Sequence, residues 1–381
     1  MQFRTFGQLD WQVSALGFGA MRFPTTDGNP YSGNINEPEA VRMLRHAIDQ
    51  GVNYLDTAYI YHGGNSERVV GAALEDGYRD KVRVATKSPT WLIHGPHDFD
   101  SILDEQLQRL RTYYIDFYLL HGLSRQTWQG VILKHNLLQR AEAALADGRI
   151  RHLGFSFHDD YDAFPEILNG YDGWTFCQIQ YNYMDTQNQA GTKGLKLATA
   201  KGLAVVVMEP LLGGRLANPP AVIREIMDAS QPRRTPAEWA MEWLWDQPEV
   251  SVVLSGMSTM AQVEANLAMA RHSFVGSFAP EDFDLIERVR QKYLERAVIP
   301  CTKCGYCLPC PQGVNIPRNF ELFNEAHLHD DMATSRFVYR AFFPAAEHAS
   351  VCQACRECEP ACPQQIPISE WMPKVAAALG G

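Results

Sequence analysis

The chain has 381 residues, 46% of them hydrophobic, with a formal net charge of −10 and no block of clustered lysine or arginine. That length buries a large core and admits one big domain with a small second one, whereas gripping a nucleic-acid backbone needs clustered cations that are not here. No apolar run is long enough to span a bilayer, and Met1-Gln2-Phe3-Arg4 opens no signal segment, so a cytoplasmic protein with neither membrane nor nucleic-acid partners is expected.

A hairpin-like opening (Phe3 to Phe6, then Val13 to Leu16) is followed by eight short β-rich runs alternating with amphipathic stretches. The runs are Ala15–Gly19, Val52–Asp56, Val82–Thr86, Phe117–Leu120, His152–Ser156, Phe176–Ile179, Ala204–Met208 and Val252–Ser255. Helical spacing covers Glu39–Gln50, Ser66–Glu75, Ser101–Arg111, Leu137–Asp147, Gly194–Lys201 and Ala237–Trp245. Asn65-Ser66, Asp100-Ser101 and Thr235-Pro236 read as helix starts, while Gly51, Gly148 and Gly202 read as stops. Eight strand–helix units predict an α/β fold, a closed parallel (β/α)8 barrel. A doubly wound open sheet competes, but no GxGxxG turn follows the first strand.

Three strands end on polar residues: Asp56, Lys87 and His121. In a barrel such ends meet at the C-terminal mouth, where active sites of this fold lie. One charge closing a strand is commonly a loop residue; aspartate, lysine and histidine on consecutive strands form a candidate site. Tyr61 follows Asp56 by five residues on the same loop. A phenol normally titrates near 10; a neighbouring ammonium lowers that value and a carboxylate anchors the ammonium. Such a group suits protonation of a carbonyl oxygen while hydride arrives at carbon. Tyr61 alone would read as a packing aromatic, as Tyr59 does.

Eight of the nine cysteines fall near the C-terminus, in Cys301-x2-Cys304-x2-Cys307-x2-Cys310-Pro311 and Cys352-x2-Cys355-x2-Cys358-x3-Cys362-Pro363. Thiolates at two-residue gaps wrap one iron–sulfur cube, and two runs imply two [4Fe–4S] clusters. Disulfides require an oxidising compartment, and zinc usually takes two CxxC pairs, which leaves cysteines over. In two-cluster ferredoxins the fourth cysteine of each run serves the other cube, which would group Cys301, Cys304 and Cys307 with Cys362, and Cys352, Cys355 and Cys358 with Cys310. The first run has two residues rather than three before its last cysteine. Between the runs, Asn319–Ala326 and Met332–Phe342 read as helices. The expected division is a barrel over 1–294 and a small, mainly helical ferredoxin-like domain over 295–381, with oxygen-sensitive clusters suited to an anaerobic cell.

The segments Val13-Ser14-Ala15-Leu16-Gly17-Phe18-Gly19, Asp56-Thr57-Ala58-x-x-Tyr61, Ala85-Thr86-Lys87, Leu119-Leu120-His121, Gly154-Phe155-Ser156, Gln178-Ile179-Gln180-Tyr181-Asn182, Pro210-Leu211-x-Gly213-Gly214 and Gln262-Val263-Glu264-x-Asn266, in this order, resemble the aldo/keto reductase superfamily. More narrowly, the chain resembles its subgroup with a C-terminal ferredoxin-like extension. The resemblance implies a TIM barrel binding NAD(H) or NADP(H) across its mouth, with Asp56, Tyr61, Lys87 and His121 as catalytic tetrad. It implies that Ser156 and Gln178 hold the carboxamide, Asn266 meets the adenine end, and Gly213, Ser255, Gly256, Met257, Ser258 and Thr259 follow the phosphates. Contacts at Gly19, Ala20, Met21, Leu211 and Gln262 are implied as well.

Three departures stand out. Phe157 replaces an asparagine after the serine, and Met208 replaces an aromatic ring against the nicotinamide, where it can still pack softly. NADP-dependent members place a lysine and an arginine within the stretch that here reads Ser255–Gln262, where neither occurs, so the reading leans to NAD(H), with Arg271 nearby as a counterweight. No flavin motif is visible, yet hydride carries two electrons and a cube one, so a flavin or a partner (a ferredoxin or a flavoprotein) is one route between them. Another reading makes the clusters purely structural or a docking module, and for the whole chain the alternatives are a single-electron redox protein and a non-catalytic barrel or docking subunit. The substrate expected is a small carbonyl compound or alcohol. Among remaining residues, His62, Trp91, His94 and His97 lie on loops suited to substrate contact, Cys177 and the pair Trp239 and Trp243 read as core, and Arg233-Arg234 as a solvated turn.

Overall fold

The computed structural model describes residues 1–231 and 233–380. They divide into two compact units: Met1–Gly213 with Ala237–Ala279, and residues 214–236 with the chain from Pro280 onward. The strands are β1 (Phe3–Thr5), β2 (Gln12–Ser14), β3 (Leu16–Gly19), β4 (Tyr54–Asp56), β5 (Arg83–Pro89), β6 (Ile115–Leu123), β7 (Ile150–Phe157), β8 (Phe176–Gln180), β9 (Ala204–Met208) and β10 (Val252–Gly256). The principal helices are α1 (Glu37–Asp49), α2 (Ser66–Ala73), α3 (Pro96–Arg109), α4 (Leu137–Ala146), α5 (Phe164–Asn169), α6 (Gly191–Ala200), α7 (Ala221–Asp228), α8 (Pro236–Trp245), α9 (Met260–Met269), α10 (Pro280–Leu294), α11 (Ile316–Leu328), α12 (Met332–Ala341) and α13 (Ile368–Gly380).

In the first unit β3 to β10 close into a parallel barrel, with β10 pairing both β9 and β3, and the antiparallel β1–β2 hairpin stands apart. A strand's side chains alternate between two faces, and the alternation here is strict. Phe117 and Leu119 point into the barrel with Tyr54, Ala85, Phe176, Ala204, Val206, Val252 and Leu254, joined by Phe6 and Val13 of the hairpin segment. Tyr118, Leu120, Val84, Leu55 and Val205 point outward to the surrounding helices. Gly17 and Gly154 occupy inward positions with no room for more: a Cβ on Gly17 would come within 2.8 Å of Leu254 and Val252 side-chain carbons, and one on Gly154 within 2.6 Å of Phe176. Here glycine is required by the bulk of the aromatic and branched neighbours.

One helix starts earlier than expected, and another starts at Ser66 as read but without a side-chain cap. α3 begins at Pro96, because the Asp98 carboxylate accepts from the backbone N–H groups of His94 and Gly95; Asp100 instead pairs with Arg140 and Arg149. Asn65 gives no side-chain cap to α2; its amide donates to Gly33 O. The stops behave as read, with Gly51, Gly148 and Gly202 all at positive φ.

The second unit has its own apolar cluster, built on Ile299, Ile316, Phe320, Leu322, Tyr339, Ile366 and Met372, with six of the cysteines packed at its border. The division between units falls elsewhere than residue 294/295. α7 and α10 pack on each other, Arg234 pairs with Asp282 at 2.7 Å, and the Tyr293 ring lies 5.0 Å from His329, so α10 belongs with the cysteine-bearing segment. Arg234 is thus an ion-pair partner and not part of a solvated turn. Arg215 is buried among Asp331, Glu325 and Ser335, which ties residues 214–236 to α11 and α12. Among the described residues no helix is long and apolar enough to cross a membrane.

Candidate active site and cluster segment

The inward alternation delivers one residue from each of the eight strands to the C-terminal end of the barrel: Gly19, Asp56, Lys87, His121, Ser156, Gln178, Met208 and Gly256. β5 and β6 run on past Lys87 and His121, as Lys87 to Pro89 pair with Leu119 to His121 and Leu123 pairs with Phe157; both residues keep their inward parity.

Lys87 is the hub. Its Nζ donates to Asp56 Oδ1 at 2.6 Å and Thr57 O at 2.9 Å, and lies 3.4 Å from Tyr61 Oη. Lys87 and Asp56 are 1% and 3% exposed, so this pair is shielded from the screening that weakens surface ion pairs. Burial works to neutralise the ammonium, but Asp56 and Tyr61 outweigh it and Lys87 is held above its ordinary value. Tyr61 sits on a 3-10 turn, Tyr61–Gly64, bent by positive φ at His62 and Gly63. Burial pushes its phenol up; Lys87 pulls it down, while Asp56 and Glu209 add to the rise, and the net direction is upward. The expectation that the lysine brings the phenol below its usual range is therefore corrected: the downward pull is present, and desolvation exceeds it.

His121 lies edge-on to Tyr61, ring centroids 6.3 Å apart, and Trp91 stands 5.0 Å from it. Burial, then the charges of Lys87 and His158, drive His121 well below its ordinary value, so it is a neutral imidazole, and its buried Nδ1 has no hydrogen-bond partner. Unsatisfied buried polar atoms cluster where a ligand completes the site. Gln178 Nε2 donates to Asp56 Oδ2 at 3.0 Å, and Ser156 Oγ accepts from Gly122 N at 2.8 Å.

Residues beside the ring fall into place unevenly. Ala20 is pinned at both ends, its N–H on Asp56 O and its carbonyl accepting from Ser66 Oγ. Ser255 Oγ accepts from Asn266 Nδ2 at 2.8 Å, and Ser258 N–H donates to Gln262 Oε1. Met257 is buried in the outer apolar layer, so its side chain packs against helices. Leu211 is half-buried against the same layer, and Gly213 sits at φ 66° in the bend that follows. Arg271 is at the far end of α9, bonded to Gln50 and Gln2, and does not reach the Ser255–Gln262 segment. His62 is buried; its Nε2 accepts from Phe23 N–H and its Nδ1 meets Ser32 O, which makes it a loop anchor. His94 and His97 are exposed, and Cys177 and Trp239 are core.

Sequence reasoning missed the network beneath Lys87. Buried Glu67 accepts from Thr86, Gln106 and Arg109, and Gln106 also donates to Lys87 O. Its members come from α2, β5 and α3, and no local pattern joins them. It missed Glu209 and His158 as well, although each stands within two residues of a ring member.

In the second unit Cys301, Cys304, Cys307 and Cys362 line one cavity with Ile316, Phe320, Ile366 and Ile368. The second run thus lends its last cysteine to the first three of the other run. Burial first, then neighbouring sulfurs, raises the thiols of Cys301 and Cys307; Cys358 responds to burial, Glu359, Cys307 and Cys310. Among the described residues no three His, Cys, Asp or Glu gather closely enough for a single metal ion.

Comparison with known proteins agrees with this architecture. The aldo/keto reductase family pattern matches residues 15–290, and that of the 4Fe-4S dicluster domain matches 300–367. The NADH-specific methylglyoxal reductase of Escherichia coli is 27% identical over 69% of this chain and 91% of its own length. Aldo-keto reductase AKR11C1 from Bacillus halodurans superposes with a TM-score of 0.63 at 26% identity, covering 76% of this chain and 96% of that one. An aldo-keto reductase from Klebsiella pneumoniae in complex with NADPH gives 0.62 at 25% identity, covering 76% and 96%. With its closed barrel and a match running nearly the whole of it, this chain belongs to the aldo/keto reductase family and carries a 4Fe-4S dicluster domain C-terminal to it in sequence.

Proposed function

We propose that the barrel is an oxidoreductase that moves hydride between a nicotinamide dinucleotide and the carbonyl or alcohol carbon of a small substrate. The observation that carries this is Lys87 Nζ placed between Asp56 at 2.6 Å and Tyr61 Oη at 3.4 Å, in a ring of inward residues. The residues fit the cofactor. With Nε2 committed to Asp56, Gln178 keeps Oε1 to accept a carboxamide N–H; with Gly122 N–H on its oxygen, Ser156 keeps its hydroxyl hydrogen to donate. The two are register partners on neighbouring strands, one acceptor beside one donor, as a primary carboxamide requires. Asn266, with Nδ2 on Ser255, keeps Oδ1 for the adenine amino group. Met208 and Gly19 would flank the nicotinamide ring.

Hydride for the substrate carbon would come from a reduced nicotinamide when one is bound. Tyr61 then gives its proton to the substrate oxygen, completing the alcohol, and the phenolate left behind is stabilised by Lys87. A phenol raised by burial is fully protonated at neutral pH, the form that reduction uses. Neutral His121 orients the substrate oxygen without competing for the proton, and Trp91, 45% exposed, lines the entrance. Asp56 fixes Lys87 and keeps it charged.

In the C-terminal segment we assign one [4Fe–4S] cluster to Cys301, Cys304, Cys307 and Cys362 and a second to Cys310, Cys352, Cys355 and Cys358. They are single-electron carriers serving a ferredoxin or flavoprotein partner. The decisive experiment on the barrel is Tyr61→Phe, which keeps the ring and removes the proton. We expect nicotinamide-linked turnover to fall by at least about a hundredfold, within the range typical of a lost acid–base group, with dinucleotide affinity kept. Turnover near wild type defeats the assignment.

A further inference from the structure

We infer that Arg22 is the cation that holds a phosphate of the dinucleotide, in place of the basic pair missing from the Ser255–Gln262 segment. The inference rests on the nicotinamide reading above and deepens it.

Arg22 comes from a different strand, on the loop after β3, yet lies directly on that segment. A Cβ on Gly256 would come within 2.9 Å of Arg22 Cγ, so the arginine stem fills the space a side chain there would occupy. Gly256 is register partner to Gly19 at the mouth. The backbone around Arg22 is fixed: Ser258 Oγ donates to Arg22 O at 2.7 Å, and Phe23 N–H donates to His62 Nε2 at 3.1 Å. Buried His62 thereby gains a purpose, holding the loop that presents the arginine.

The guanidinium is oriented without being neutralised. It lies over the Tyr31 ring, 4.3 Å from the centroid, and Nη2 donates to Tyr31 Oη at 2.9 Å. Among the described residues no carboxylate pairs with it, whereas Arg42, Arg45, Arg79, Arg109, Arg111 and Arg125 all have one. A half-buried, stacked arginine with no carboxylate partner, whose Nη1 reaches only Met21 O at 3.3 Å besides the Tyr31 contact of Nη2, keeps donors for a phosphate, whose oxygens match its fork.

The test is calorimetric titration of anaerobically purified full-length protein with NADH and with NADPH, without substrate, for wild type, Arg22→Gln and Arg22→Lys. Arg22→Gln should raise the dissociation constant roughly tenfold or more, the loss of one charge-assisted contact. Arg22→Lys should recover part of that loss, and about 0.5 M salt should narrow the gap. Equal loss for both dinucleotides assigns the contact to the bridging diphosphate; loss confined to NADPH assigns it to the 2′-phosphate and removes the lean to NAD(H). Constants for both within twofold of wild type, with an unchanged melting curve, overturn the inference and leave Arg22 as a clasp for Tyr31. Wild-type protein that binds neither dinucleotide overturns the nicotinamide reading and this assignment together.

Discussion

Replacing Lys87 by methionine removes the hub while keeping its volume, and two consequences follow from the geometry. Asp56 is left buried without its ion-pair partner, since only the Gln178 amide remains on it. Breaking a buried pair in this way costs about 3–5 kcal/mol. Separately, Tyr61 loses the one group that lowers it, while burial, Asp56 and Glu209 still push it up. At 3.4 Å and an effective dielectric constant of about 20, that lost attraction is on the order of 5 kcal/mol for the phenolate. Alcohol oxidation, which needs the phenolate, should thus lose several orders of magnitude, and its rise with pH should move to higher pH. Combining Lys87→Met with Asp56→Asn separates the effects: stability should return to within about 1 kcal/mol of wild type, while the pH dependence of oxidation stays displaced. Denaturant melts and pH profiles of kcat/KM for the two variants suffice. A Lys87→Met enzyme with an unmoved alkaline limb would refute the argument.

Two further outcomes are expected. Because burial holds Tyr61 above its ordinary value and His121 well below its own, carbonyl reduction should be flat from pH 6 to about 9 and fall only as the phenol ionises above roughly 10; an inflection near 6.5 that vanishes in His121→Asn would make histidine the acid instead. Cys362→Ser should halve the iron content measured anaerobically, from about eight to about four per chain, because it removes a ligand from one cube alone; unchanged iron contradicts the grouping.

Local pattern carried a great deal. Period-2 alternation in Val52–Asp56, Val82–Lys87 and Phe117–His121 sets which side chains face into a barrel, and Asp56, Lys87 and His121 sit on the inward parity of their strands. The cysteine gaps are equally local, since a cube is wrapped by one short turn. Where a helix started was less legible: Asp98 captured the N–H groups of His94 and Gly95, and Asp100 went to two arginines instead.

What sequence determined, then, was everything fixed by neighbours a few residues apart: strands, helices, inward parity and cluster turns. Tertiary structure alone decided which distant groups share one small volume. It laid Arg22 across Gly256, tied Arg234 to Asp282, and sealed Tyr61 in so that desolvation outweighs Lys87. The physical reason is range. Propensity and alternation act along the chain, whereas burial and Coulomb energy depend on the whole surroundings of a group, which exist only once the chain has closed.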